Sequence, residues 1–270
     1  MSDFIAVHRG EEPLILSFPH TGTDIPSDIE AHLVDPDLAR QDTDWWIDRL
    51  YAPFVEAFRA SSVHTAISRS VIDVNRDPSG ASLYPGQNTT GLCPTTTFDG
   101  ESLYRAGAVP DDAEIERRRE LYYRPYHAAL KDAVDDMLRR HGWCVLYDCH
   151  SIRSMVPRLF KGKLPIFNIG TNVGKACAPS IREIAMEFAG SSPYSAVADG
   201  RFKGGWITRH YGRPAEHVHA IQVELAQRAY LSAEAPPWSF DDRRAGRLRR
   251  WLRDIIDVIC AEARELEEGL

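Results

Sequence analysis

Short apolar runs that stop at turn or polar residues alternate along this chain with stretches whose apolar positions recur at helical spacing. The first pattern predicts buried strands, and the second predicts helices with one face on a core. Leu14-Ile15-Leu16-Ser17-Phe18 is the first strand-like run. It stops at Pro19-His20-Thr21-Gly22, a tight turn that places His20 at a strand end. From Pro36, an apolar stripe of Leu38, Trp46, Leu50, Phe54 and Phe58 predicts a helix, which Pro53 bends or splits. Asp42-Thr43-Asp44-Trp45-Trp46 lies near its start as an irregular entry. Val63-His64-Thr65-Ala66-Ile67 and Val71-Ile72-Asp73-Val74 are rich in β-branched residues and predict two further strands.

The stretch Asp77–Gly107 has no sustained period and is rich in Gly, Pro, Thr, Ser and Asn. A segment of that length without regular structure is usually functional when ordered, so a long loop over a site, reaching to about residue 110, is expected. From Asp111 to Arg140, Ile115, Tyr122, Tyr126, Leu130, Val134 and Met137 predict a helix capped by Asp111 or Asp112, kinked by Pro125 and ended by Gly142. The run Trp143-Cys144-Val145-Leu146-Tyr147 then stops at Asp148-Cys149-His150-Ser151, a buried strand delivering polar groups to a sheet edge. A basic loop (153–163), a strand over Pro165–Ile169 and a helix over Ala176–Ala189 follow. The glycine-punctuated basic stretch Gly200–Gly212 leads to a strand over His219–Leu225. A closing amphipathic helix carries Leu248, Leu252, Ile255, Ile256, Ile259 and Leu266. Strands alternating with helices predict a single α/β domain over 1–270, a three-layer α/β/α sandwich with a mixed, mostly parallel central sheet.

Composition narrows the function more than the fold. The chain has 270 residues, 43% hydrophobic and 26% charged, as in ordinary globular proteins. No stretch is apolar for long enough to cross a bilayer, and Met1-Ser2-Asp3-Phe4-Ile5 lacks the regions of a signal peptide. The five cysteines are scattered without C-x-x-C spacing, which argues against a disulfide framework or thiolate cluster and points to a cytoplasmic protein. A net charge of −7 disfavours nucleic acid and anionic membrane as partners, so an anionic substrate must be held by local arginines.

His20 and His150 each follow a strand-like run, and the carboxyl ends of parallel strands converge on one crevice. Zinc hydrolases draw three ligands from His and Asp/Glu and keep a position for water. Asp44 is the first choice for the acidic ligand, Asp42 the close second and Asp24 a distant third; helix capping explains Asp42 and Asp44 equally well from spacing. Asp148 shares the face of His150 and can orient it, whereas Cys149 points to the opposite face and reads as a core thiol. Glu224, inside an apolar strand, is either ion-paired with an arginine or buried as a proton-transfer group. Asn75-Arg76 can grip a carboxylate or pair with Asp73 or Asp77. No serine-hydrolase elbow, phosphate loop, H-E-x-x-H helix or dinucleotide spacing occurs.

Together these motifs resemble those of the N-formylglutamate deformylase (amidohydrolase) family, related to zinc carboxypeptidases and aspartoacylases. The resemblance runs over nearly the whole chain. It rests on Ser17–Gly22, Asp42–Trp45, Val74–Arg76, Ser82–Gln87, Gly91–Pro94, Asp148–Arg153, Gly200–Gly205, Ile207–Gly212 and Val223–Gln227. Those relatives use H-x-x-E, whereas the third residue after His20 is Thr23, so the acidic ligand must come from elsewhere. The resemblance implies hydrolysis of N-formyl-L-glutamate to formate and L-glutamate, the last step of a histidine-degradation route. It implies one divalent ion, Zn2+, on His20, Asp44 and His150, with Glu224 as base and Arg69 as an oxyanion partner. It implies a small dicarboxylate substrate, held by Asn75, Arg76, Arg209 and Lys203. A related deacylase or carboxypeptidase acting on another N-acyl amino acid is the alternative, and a binding module without chemistry is the rival outside enzymes.

Overall fold

The computed structural model describes residues 3–84 and 86–269, so Pro85 of the Ser82–Gln87 motif and the starting Met1-Ser2 lie outside the described residues. Its strands are β1 (Ile5–His8), β2 (Leu14–Phe18), β3 (Ser61–Thr65), β4 (Cys144–Ile152), β5 (Phe167–Gly170), β6 (Ala196–Ala198) and β7 (Val218–Ala226), with the first helix, the short α1 (Ser27–Glu30), between β2 and β3. They form one sheet in the order β1-β3-β2-β4-β7-β5-β6. The block β3-β2-β4-β7 is parallel, β1 and β5 run antiparallel to their neighbours in it, and β6 is parallel to β5. This is the expected mixed, mostly parallel sheet.

Every residue of β4 and β7 is buried, as strands covered on both faces must be. Their side chains alternate between two cores. Val145, Tyr147, Cys149, Ile221, Val223 and Leu225 pack with α3 (Ile47–Ala57), α6 (Pro179–Ser191) and α8 (Asp242–Glu268). Cys144, Leu146, Val218 and Ala220 pack on the other side with α5 (Arg124–His141) and α7 (Trp206–Tyr211). Along that second face the strands turn polar toward their carboxyl ends, at Ser17, Asp148, His150, Gln222 and Glu224. The site grows from that change of side-chain character.

Three sequence expectations shift. The helix foreseen from Pro36 is two helices, α2 (Pro36–Arg40) and α3, parted at residues 41–46, because Trp46 adopts a left-handed conformation (φ 61°); Pro53 sits inside α3. The helix foreseen from Asp111 is α4 (Asp112–Arg118), a π-helical turn (Arg119–Tyr123) and α5. A π turn just before Pro125 accommodates the residue that lacks an N–H. Val71-Ile72-Asp73-Val74 is not a strand. Its apolar side chains are buried, but the backbone is satisfied locally: Asp73 N donates to Leu92 O, and Val71 O accepts from the buried Arg118 guanidinium.

No described helix is long and apolar enough to cross a membrane. The 27-residue helix α8 instead buries a stripe of Leu248, Leu252, Ile255, Ile256 and Ile259 on the sheet. Replacing Ile256 by Ala leaves a cavity in the core on the α8 side of the sheet and should cost about 2–5 kcal/mol. Urea unfolding should show a lower midpoint with an unchanged slope; an unchanged midpoint would contradict the packing described.

Candidate metal centre and substrate cleft

Register fixes the centre of the site. His150 on β4 stands directly opposite Glu224 on β7, and one rung back Asp148 stands between Ser17 of β2 and Gln222 of β7. His20 follows two residues beyond β2, and its carbonyl accepts the Asp44 backbone N–H (3.0 Å), which ties the turn between α2 and α3 to the strand end.

His20, Asp44 and His150 are all buried, and one ligand atom from each lies within 4.8 Å of the others. Asp44 Oδ2 is 2.9 Å from His150 Nδ1 and 3.8 Å from His20 Nδ1. The outward nitrogens are held by carboxylates: His20 Nε2 is 2.6 Å from Asp73 Oδ1, and His150 Nε2 is 3.0 Å from Asp148 Oδ2. A carboxylate on one ring nitrogen fixes the tautomer and turns the other lone pair inward, the arrangement that supports histidine ligands of metals. His20 Nδ1 is buried and has no hydrogen-bond partner among the described residues, so an inward lone pair is left for an ion. The electrostatics agree. Burial alone would lower the His150 pKa, yet Asp148 and Asp44 raise it well above the ordinary value. Burial would raise Asp44, yet the adjacent His150 and His20 hold it below the usual carboxylate range. The pocket stabilises positive charge, and a divalent cation satisfies the same field. The residues fit a metal ion.

The group contains Asp44 and neither alternative. Asp42 accepts from Phe98 N (2.6 Å) and Arg153 Nη2 (3.2 Å), so it anchors the long loop, and Asp24 is exposed. Cys149 faces the opposite core, and burial pushes its thiol well up.

A cleft opens over the group. It is lined by His20, His150 and Glu224 at its base, by Arg69, Arg76 and Arg201, and by Tyr84, Asn88, Thr90 and Phe98 of the long loop. Burial pushes Glu224 up to about 8 against the pull of His150, while Asp44 adds to the rise. Arg69 is buried across from it, bonded to Asp73 (2.7 Å) and Asp44 (3.4 Å). Arg76 donates to Thr90 O and Asn75 O and lines the wall.

Three expected substrate contacts are placed differently. Asn75 lines the cleft, but both ends of its amide are committed: Oδ1 accepts from Ile207 N (2.8 Å) and Nδ2 donates to Asp148 Oδ2 (3.2 Å). It joins α7 to the carboxylate behind His150. Arg209 and Lys203 are not among the lining side chains. The Arg209 Nε–H donates back to Gly204 O (2.9 Å), and its guanidinium lies over the Tyr84 ring, 4.9 Å from its centre. Asp73 and Arg201 were not singled out by the sequence. A carboxylate two residues before Asn75 was the only signal for Asp73, and Arg201 had only its place in a basic stretch.

Fold and site together are those of an amide-bond hydrolase built on a mixed-sheet α/β fold. The chain belongs to the N-formylglutamate amidohydrolase family, whose model matches residues 12–231. It is 42% identical to an N-formylglutamate deformylase of Pseudomonas aeruginosa over 98% of this chain and 99% of that one. A second, from Pseudomonas putida, is 41% identical over 97% of each chain. Its fold is similar to the crystal structure of an N-formylglutamate amidohydrolase from Ralstonia eutropha, with a TM-score of 0.78, 23% identity and 99% of both chains covered. The protein is a hydrolase acting on an amide bond.

The geometry makes separable demands on the acidic residues. Asp44→Ala should abolish stoichiometric Zn2+ retention after dialysis, while Asp42→Ala should keep it. Asp148→Asn should weaken the metal by about 10- to 100-fold. Elemental analysis and competition with a chromophoric chelator decide it; metal lost from Asp42→Ala and kept by Asp44→Ala would overturn the ligand assignment.

Proposed function

We propose that the enzyme hydrolyses N-formyl-L-glutamate to formate and L-glutamate, with one divalent ion, Zn2+, held by His20, Asp44 and His150. The observation that carries this reading is the buried histidine–aspartate group facing Glu224 across one strand pair, in a cleft walled by arginines. Two imidazoles and one carboxylate are a donor set suited to Zn2+. When bound, such an ion polarises a carbonyl and acidifies water.

The protein groups around it divide the remaining work. Glu224, desolvated and opposite His150, takes a proton from the attacking water and returns it to the amine nitrogen as the formyl C–N bond breaks. Its raised pKa lets one carboxyl group serve as base and then as acid near neutrality. Arg69, held in place by Asp73 and Asp44, presents its remaining N–H groups to negative charge developing on the formyl oxygen. Arg76, fixed through Thr90 and Asn75, binds one substrate carboxylate through its open edge. Asn75 positions both Arg76 and Asp148 rather than touching substrate. The free cysteines accord with a cytoplasmic enzyme.

Formate release from N-formyl-L-glutamate should stop after chelation and return with Zn2+; activity indifferent to chelation and metal content would defeat the proposal. Glu224→Gln should lower kcat by at least about 100-fold while keeping metal, in line with general acid–base contributions. The pH dependence follows from the sign of the Glu224 shift. A carboxyl with a raised pKa is a competent base only above that pKa, so kcat/KM should fall as pH drops. The midpoint of that acid limb should lie above the ordinary value of 4.5 and no higher than about 8. A rate independent of pH across that interval would exclude Glu224 as the base.

A further inference from the structure

We infer that Arg201 binds the side-chain carboxylate of the substrate and thereby sets a preference for acidic N-formyl amino acids; the inference rests on the hydrolysis proposed above. Charge balance in the cleft singles this residue out. Arg69 is matched by Asp73 and Asp44, and Arg76 lies 3.5 Å from Asp73. Arg201 lines the same cleft, and among the described residues no carboxylate forms an ion pair with it. Its charge is therefore the one left for a second anion.

Arg201 is also preorganised. Its Nε–H donates to Leu159 O (2.8 Å) and one Nη2 hydrogen donates to Asn88 O (2.9 Å), leaving the Nη1 amino group and the other Nη2 hydrogen without an acceptor among the described residues. Tyr84 and Phe202 lie against the guanidinium, each ring centre 5.4 Å from its carbon. Tyr84 is itself fixed by its hydroxyl, which donates to Gly204 O (2.8 Å). A guanidinium clamped by two carbonyls and two rings loses little freedom on binding, and its open edge suits a planar carboxylate. Burial pushes Arg201 below its ordinary pKa, and Arg76 adds repulsion, so a carboxylate entering between the two relieves both. Ile152 and Leu159 beside it supply apolar wall for the methylenes of a glutamate side chain.

The test compares N-formyl-L-glutamate with N-formyl-L-glutamine, which differs only in the distal charge, in wild type, Arg201→Gln and Arg201→Lys. Wild type should favour the diacid by about 10- to 100-fold in kcat/KM, as expected for hydrogen bonds to a charged group. Arg201→Gln should lose that factor on the diacid, chiefly in KM, and change on the neutral substrate by less than about twofold. Arg201→Lys should fall between them. Calorimetric binding of L-glutamate and L-glutamine should show the same loss of preference. Equal losses on both substrates, or no loss on either, would overturn the role of Arg201. Wild type hydrolysing neither substrate would refute the function instead, and the calorimetry would still decide whether Arg201 distinguishes glutamate from glutamine. Should Arg201→Gln not fold, wild type treating the two substrates alike would overturn the inference.

Discussion

Three carboxylates, Asp44, Asp73 and Asp148, are buried together, and the site exists because each is compensated. An uncompensated buried charge costs several kcal/mol even after relaxation, so such a cluster persists only where donors and cations converge on it. Asp73 takes Arg69, His20 and the Asn75 backbone N–H; Asp148 takes Ser17, Asn75 and His150; Asp44 takes Arg69, His150 and the Ser151 backbone N–H. These partners come from β2, β4 and two loops. Removing one of them uncovers a charge, so the cluster fixes the relative placement of those elements. Arginine at position 69 gains from being held between two carboxylates, and burial alone would otherwise depress its charge.

The parallel pairing of β2, β4 and β7 makes such convergence possible. Alternation sends Tyr147 and Cys149 to the α8 side and Asp148 and His150 to the other. A slip of one residue in the β4–β7 register would bury His150 in the aliphatic core and leave Glu224 facing a neighbour of the wrong polarity. The many apolar residues under α8 therefore do more than add stability. They make that slip expensive, and so hold the histidine and the glutamate on the cleft side.

The parts of this arrangement visible in the sequence were those carried by local pattern. His20, His150 and Glu224 announced themselves as polar stops or interruptions in apolar runs, and alternation alone assigned Cys149 to packing. Asp44 could be separated from Asp42 only in three dimensions, since the two differ by how a short turn points, with Trp46 left-handed at its end. Asp73 was hidden in a β-branched run that reads as strand, because its side-chain bonds to His20, Arg69 and the Asn75 backbone N–H are set by the tertiary fold and by no periodicity. Arg201, Lys203 and Arg209 look equivalent as basic residues. Their places diverge around Gly204, left-handed at φ 101°, which starts the turn into α7: Arg209 packs on the Tyr84 ring and bonds Gly204 O, while Arg201 lines the cleft.

The overall charge of −7 would repel a dianion such as the proposed substrate, yet the cleft is lined by Arg69, Arg76 and Arg201. The conflict resolves by distance. At ordinary ionic strength, exposed charges more than about 10 Å away are screened, whereas groups inside a partly dry cleft are not. What an incoming carboxylate meets is the local balance, in which Asp44 and Asp73 already offset Arg69 and much of Arg76. Unmatched charge, not the number of arginines, sets the attraction. Because the long loop supplies Asn88, Thr90 and Tyr84 to hold Arg201 and Arg76, the same segment that walls the cleft also fixes where that unmatched charge sits. Two of its backbone carbonyls, Asn88 O and Thr90 O, which a helix or sheet ladder would have consumed, accept from these guanidinium groups.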